Sequence, residues 1–208
     1  MPETRSIEET VTGETATEAA ATEETATEAA ATEEAVGATV DDGRGDLLDA
    51  LAGHRTMLRH TVRDLTDEQA GLRTTVSELC LGGLIKHVTS VERVWTAFIQ
   101  DGLPALGAVT DMTEEDWARR AEEFRMLPGE TLAGVLEAYA EAARRTDEVV
   151  GALPDLDVTH PLPEAPWSEP GGRWSARRTL LHIIGETAQH AGHADIIRES
   201  LDGGRSMG

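Results

Sequence analysis

From residue 46 onward, large apolar side chains recur at three- and four-residue intervals in four long runs, and glycines, prolines and short polar clusters separate the runs. That period matches one face of an α-helix and does not match the two-residue alternation of a strand. The first run carries Leu47, Leu48, Leu51, Leu58, Val62 and Leu65, with Asp46 as its expected cap and its end near Leu65-Thr66. The second is expected to start at Ser77 and to reach about Gln100, with Leu81, Leu84, Val88, Val91, Trp95 and Phe98 as its stripe. A short accessory helix over 111–124 holds Trp117. The third long run follows Pro128-Gly129-Glu130 through Leu132, Val135, Leu136, Tyr139, Ala143 and Val149-Val150. Ser175 is placed to cap the fourth, which runs to Leu201 before Gly203-Gly204. Between the last two, the segment 154–172 contains Pro161, Pro163, Pro166 and Pro170 and cannot be a helix interior. No segment reads as a strand.

Four amphipathic helices in some 160 residues predict an all-α four-helix bundle. A domain of roughly 150 residues buries ~70% of its unfolded surface, enough to fold without a staple. The connections are expected to be about ten, 28 and 22 residues long. Long links can cross the length of a bundle, so helices adjacent in sequence need not be antiparallel.

The N-terminal part reads differently. Residues 1–42 hold twelve acids against Arg5 alone, while all seven aromatic residues lie beyond them. The ten letters of Glu14–Glu23, ETATEAAATE, recur unchanged at 24–33. This repeat carries almost no large apolar side chain, and its like charges at Glu14/Glu18 and Glu24/Glu28 oppose a stable helix. Residues 1–45 are therefore expected to be a disordered acidic tail, and 46–203 the bundle. A net charge of −21 disfavours nucleic acid and anionic membranes as partners. No run of some 18 apolar residues exists to span a bilayer. A single cysteine, Cys80, excludes an intrachain disulfide and is expected as a small buried hydrophobe. With no secretory signal at Met1-Pro2-Glu3-Thr4-Arg5, a cytoplasmic protein is expected.

The fourth run breaks its amphipathic pattern in one stripe. His182, Glu186, His190 and His193 fall at relative angles of about 0°, 40°, 80° and 20° on one helix face. Adjacent members at this spacing can aim two donor atoms at one point, as helical metal sites do. His182/Glu186, Glu186/His190 and His190/His193 are all admissible pairs, and spacing does not choose among them. A partly exposed polar face explains the same stripe. On the second helix His87 lies among Leu84, Val91, Trp95 and Phe98, where an imidazole must be hydrogen-bonded, neutral or ligated. One histidine from that helix and a pair from the fourth would give three ligands with coordination positions left open. His54, His60 and His160 are expected to have no special task, and the tryptophans to be core or pocket wall.

Two motifs resemble a known family. Ser77 to His87 (SELCLGGLIKH) with Val91-Glu92-Arg93-Val94-Trp95 resembles the second-helix signature of the DinB-like superfamily, nearest its uncharacterised actinobacterial group. Trp174-Ser175-Ala176-Arg177 through Leu181-His182, then Glu186 to Glu199 (ETAQHAGHADIIRE), resembles its fourth-helix signature. The resemblance covers roughly 46–202. It implies a bundle with a metal site between helices, whose fourth-helix pair is followed by Gly two residues later. Gly192 stands two after His190, which selects Glu186 and His190. The related mycothiol-dependent maleylpyruvate isomerases resemble this set in using His, Glu and His. The implied metal ligands are therefore His87, Glu186 and His190, with zinc the expected ion, and His193 and His182 become acid–base or substrate-contacting candidates. Mycothiol or a related small thiol is the implied cofactor, an electrophilic small molecule the partner, and pairing into a homodimer a further implication. The implied activity is metal-dependent S-transfer or thiol-assisted isomerisation. A non-catalytic metal-holding bundle, stress-linked or sensory, shares the same ligands. The Pro-rich connection, with Trp167 and Arg173, is expected to contribute to the pocket.

Overall fold

The computed structural model describes residues 42–106, 112–164 and 170–206. Most of the expected tail and Trp167 lie outside them. In chain order the elements are α1 (Arg44–His60), α2 (Asp67–Gly71), α3 (Leu81–Asp101), a 3-10 turn (Leu103–Ala105), α4 (Glu114–Glu122), α5 (Leu132–Ala152), β1 (Thr159–Pro161), β2 (Arg173–Ser175) and α6 (Ala176–Asp202). The four long helices α1, α3, α5 and α6 form the bundle, and no helix among the described residues is long and apolar enough to cross a membrane.

Contacts between helices fix their directions. Arg177 near the start of α6 donates to the Asp42 carbonyl just before α1 (2.7 Å), and Arg198 near its end donates to the Thr61 and Arg63 carbonyls (2.9 and 2.8 Å) just after it. The first and last helices are thus parallel. So are α3 and α5, tied in order by Lys86–Glu130 (2.7 Å), Arg93 to the Ala138 carbonyl (3.1 Å) and Arg145 to Gln100 (2.9 Å). Against α6, however, α3 runs antiparallel, with His87 beside His190 and Trp95 beside His182. The order is up-down-down-up. Only the link 102–131 has to travel the length of the bundle; 61–80 and 153–175 each join helix ends at one pole.

Helix boundaries depart from the sequence expectation where capping chemistry differs. Gly43, at φ 70°, precedes α1, and Asp46 sits inside the first turn, where its charge faces the helix dipole. The first helix stops at His60, because Thr66 starts a separate short helix with a Thr66/Gln69 capping box. Ser77 accepts from the Leu79 amide (3.2 Å) in a turn, and α3 begins only after Cys80. Ser175 does cap α6, accepting from the Arg178 amide (3.1 Å), and Gly203 ends it in a left-handed conformation. The expectation of no strands is overturned by a three-residue antiparallel ladder, Thr159↔Ser175 to Pro161↔Arg173. So short a ladder has no alternation to read; it is held by its surroundings. His160, expected to be idle, meets the Ile99 carbonyl with Nε2 (3.2 Å), and Gly102, at φ 71°, leaves room for its ring.

Two apolar clusters fill the bundle. One gathers Leu58, Leu81, Leu84, Ile85, Val88, Leu132, Tyr139 and Ile197, the other Ile99, Val149, Val150, Leu156 and Leu180. A buried polar belt lies between them. Glu92 is fully buried and forms a two-pronged ion pair with Arg55, which also reaches Asp147 (2.9 Å). The Thr96 and Thr146 hydroxyls bond at 2.8 Å beside it. Cys80 is buried as expected. Trp117, by contrast, is about half exposed (51%), so it is neither core nor pocket wall.

The returning link packs on the first turn of α3, and Gly82-Gly83 make that possible. A Cβ on Gly83 would fall on the Phe124 carbonyl and 2.7 Å from the Arg125 nitrogen, which are backbone atoms that cannot swing aside. Gly83→Ala is expected to lower stability by about 1–3 kcal/mol through overpacking. Gly53→Ala, on an exposed helical position with nothing within 4 Å, is expected to raise it by about 0.5–1 kcal/mol. Urea midpoints of the two variants check both signs.

Candidate functional site

The antiparallel seam of α3 and α6 brings His87, Glu186 and His190 together. Each offers one ligand atom, and these atoms lie within 4.8 Å of one another. Glu186 Oε2 is 4.0 Å from His87 Nε2 and 3.6 Å from His190 Nε2. The two rings meet edge to face at 4.8 Å. Of the three pairs that spacing allowed, Glu186/His190 is the one facing His87.

Whether these groups suit a cation can be judged from their hydrogen bonding. His87 is 6% exposed; its buried Nδ1 has the Glu123 carboxylate 3.5 Å away, and its Nε2, on the side of Glu186 and His190, makes no hydrogen bond among the described residues. The Glu186 carboxylate likewise makes none there; its histidine neighbours stand at 3.6–4.0 Å, beyond hydrogen-bond reach. Leaving a buried imidazole nitrogen unmatched costs about 1–3 kcal/mol, whereas the Glu186 side chain, 28% exposed, can also be reached by water. Bonds of ~2 Å at tetrahedral angles separate neighbouring ligand atoms by roughly 3.3 Å, so small side-chain rotations suffice to close the set on one ion. The donors fit.

Surrounding contacts set the rings. His190 Nδ1 faces His193 Nδ1 at 3.3 Å, so one of the pair carries the proton and the other accepts it. His193 thus lies behind a ligand candidate and not in front of it. Phe124 stacks on His87 at 4.2 Å, and Glu123 Oε2 stands 3.5 Å from His87 Nδ1, at the outer limit of a hydrogen bond. Glu123 in turn accepts from Ser90 (2.9 Å). His182 Nε2 lies 3.9 Å from Glu186 Oε1, and its ring packs edge-on against Trp95 (4.7 Å) and tilted against Trp174 (5.2 Å). The two tryptophans stack at 4.9 Å, and the Arg178 guanidinium covers Trp174 at 4.4 Å. Arg173, expected in the pocket, instead bonds Thr159 within the hairpin. A groove of about 570 Å³ between α3 and α5 opens on another face of α3, lined by Lys86, Ser90, Arg93, Gly134 and Ala138. It does not contain these groups.

Sequence reasoning missed Glu123 and Phe124. They lie in the crossover link, where no periodicity points at the site. The Gly82-Gly83 pair, a sign of close backbone approach on α3, was the available hint.

Burial lowers the pKa of two of the imidazoles, His190 and His182. It is the main cause lowering His190, with the positive field of His87 next; Glu186 opposes them, and His190 falls to about 4. Burial also lowers His182. Both rings are therefore free bases at neutral pH.

A bundle of this connectivity, with a His–Glu–His set between its antiparallel helices, is DinB-like. The sequence model of mycothiol-S-transferase matches residues 46–203, and the chain belongs to that family. Its role is accordingly mycothiol-S-transferase-like, with a small thiol and an electrophile as the partners the family suggests. A crystal structure titled "conserved protein of locus from Enterococcus faecalis" is similar at a TM-score of 0.56 and 13% identity, covering 76% of this chain and 96% of that one. At that identity it speaks for the fold alone. No curated protein matches the sequence.

The depressed His190 value has a measurable consequence. The unfolded chain takes up the His190 proton near pH 6.5 and the folded chain only near 4, so this contribution is present above pH 6.5 and is lost as pH falls from 6.5 to 4. In metal-free protein, His190→Gln is expected to flatten the fall in unfolding free energy across that window. Urea titrations at pH 7 and pH 5 on both proteins check it.

Proposed function

We propose that this chain is a metal-dependent S-transferase that uses mycothiol or a closely related thiol, with the metal held by His87, Glu186 and His190. One observation carries the reading: a ligand atom from each of His87, Glu186 and His190, on two different helices, lies within 4.8 Å of the others, and Glu186 Oε2 stands 4.0 Å from His87 Nε2 with no hydrogen bond between them. Two imidazoles and a carboxylate suit Zn²⁺ and also accept Ni²⁺, Fe²⁺ or Mn²⁺. An ion held there would stabilise the thiolate form of a bound thiol at neutral pH, the form that acts as nucleophile.

The remaining steps belong to the chain. His182, neutral through burial and close to Glu186, accepts the proton of the incoming thiol. Trp95 and Trp174 fix its ring, so the proton goes to a base of set orientation. His193 holds the Nδ1 side of His190. The thiolate sulfur then forms a bond to the electrophilic carbon. Either a leaving group departs with the bonding electron pair, or, in an addition, His182 returns its proton to the carbanion. In an isomerisation the carbanion instead expels the thiolate again, breaking the new C–S bond and re-forming the double bond, and the released thiolate takes its proton back from His182.

Elemental analysis of protein purified without added metal is expected to find about one divalent ion per chain, with zinc favoured. His87→Ala, Glu186→Ala and His190→Ala are expected to lose it, together with consumption of mycothiol in the presence of monochlorobimane. His182→Ala should keep the ion and lose about 10²–10⁴-fold in turnover. A protein that binds the ion and consumes no thiol above the His87→Ala background is a metal-holding bundle without turnover.

A further inference from the structure

The crossover link ends on the metal-facing part of α3, and its position there is heavily determined. Lys86 Nζ donates to the Arg125 and Glu122 carbonyls (2.9 and 3.4 Å), Cys80 Sγ approaches the Phe124 carbonyl (3.6 Å), and Gly83 admits the backbone itself. The effect is to lay Phe124 flat on the His87 ring and to set the Glu123 carboxylate at its Nδ1 edge. Ser90, on α3, donates to Glu123 Oε1 and leaves Oε2 for His87.

A neutral imidazole has one N–H and one lone pair, and only the lone pair can bind a cation. An ionised carboxylate accepts and cannot donate. Placed at Nδ1, it favours the tautomer with the proton on Nδ1, which leaves the lone pair on Nε2, the nitrogen facing Glu186 and His190. Phe124 blocks the ring flip that would exchange the two edges. We propose that Glu123 is a positioning residue for His87, fixing its tautomer and raising its basicity toward the ion, and that Ser90 orients Glu123. This rests on the metal reading above. The site is thus built from three segments, with the returning link supplying its outer carboxylate.

Two measurements on Glu123→Ala test it: Zn²⁺ affinity by competition with a chromophoric chelator, and the His87 tautomer in metal-free protein from long-range ¹H–¹⁵N correlations. The expected results are a loss of about 10–100-fold in affinity and a shift of His87 away from the Nδ1–H form, with far-UV circular dichroism unchanged. Ser90→Ala should move both in the same direction by less. Affinity within about twofold of wild type, or an unchanged tautomer, overturns the proposal. If Glu123→Ala fails to fold, Glu123→Leu keeps similar bulk without any acceptor at Nδ1, and the same two readouts decide. Should the wild type bind no Zn²⁺, the metal reading falls by itself, and the tautomer measurement still decides the role of Glu123.

Discussion

The antiparallel register between α3 and α6 is the constraint on which the rest depends. Trp95 lies eight residues after His87, and its partner His182 lies eight before His190, so one register sets both contacts. Because a helix advances ~1.5 Å and turns ~100° per residue, a slip of even one residue would swing the His87 position off the face that meets Glu186 and His190. The aromatic packing of Trp95, Trp174 and His182 fixes that register from one end of the seam. The apolar cluster around Leu84, Val88, Ala191 and Ala194 fixes it from the other.

Across the bundle, Arg55–Glu92 does a related task for α1 and α3. A fully buried ion pair adds little net stability over an apolar pair of the same shape, but a single misplaced partner is costly. Only one rotation of α1 lets Arg55 meet Glu92, Asp147 and the Ala143 carbonyl together. Its contribution is to discriminate against other packings of four similar amphipathic helices.

Much of this was legible in the sequence for physical reasons. Helical periodicity survives in a single chain because each helix buries one face, so the four long helices and the cap at Ser175 could be read directly. The histidine–glutamate stripe could be read as well, since an i, i+4 pattern has a definite meaning on a helix. Spacing left three pairs open, because the choice depends on which one faces His87, a tertiary fact. Thr61 to Cys80 was misread since Ser77 and Thr66 carry the same capping chemistry whether they start a helix or only a turn. The hairpin escaped because three-residue strands take their conformation from neighbours. Glu123 escaped for a deeper reason: a side chain delivered by a link leaves no periodic trace.

Up-down-down-up connectivity also orders events during synthesis. His87 leaves the ribosome about a hundred residues ahead of Glu186 and His190, and α6 is the last of the four pillars to emerge. Until then the groove it will fill stands open between α1 and α3, and the nascent domain has the first imidazole without its companions. The crossover link emerges in the interval and can seat Phe124 against that imidazole beforehand. Arrival of the terminal helix therefore closes the core and brings Glu186 and His190 to His87 in one event, so that an incompletely made chain lacks the whole cluster.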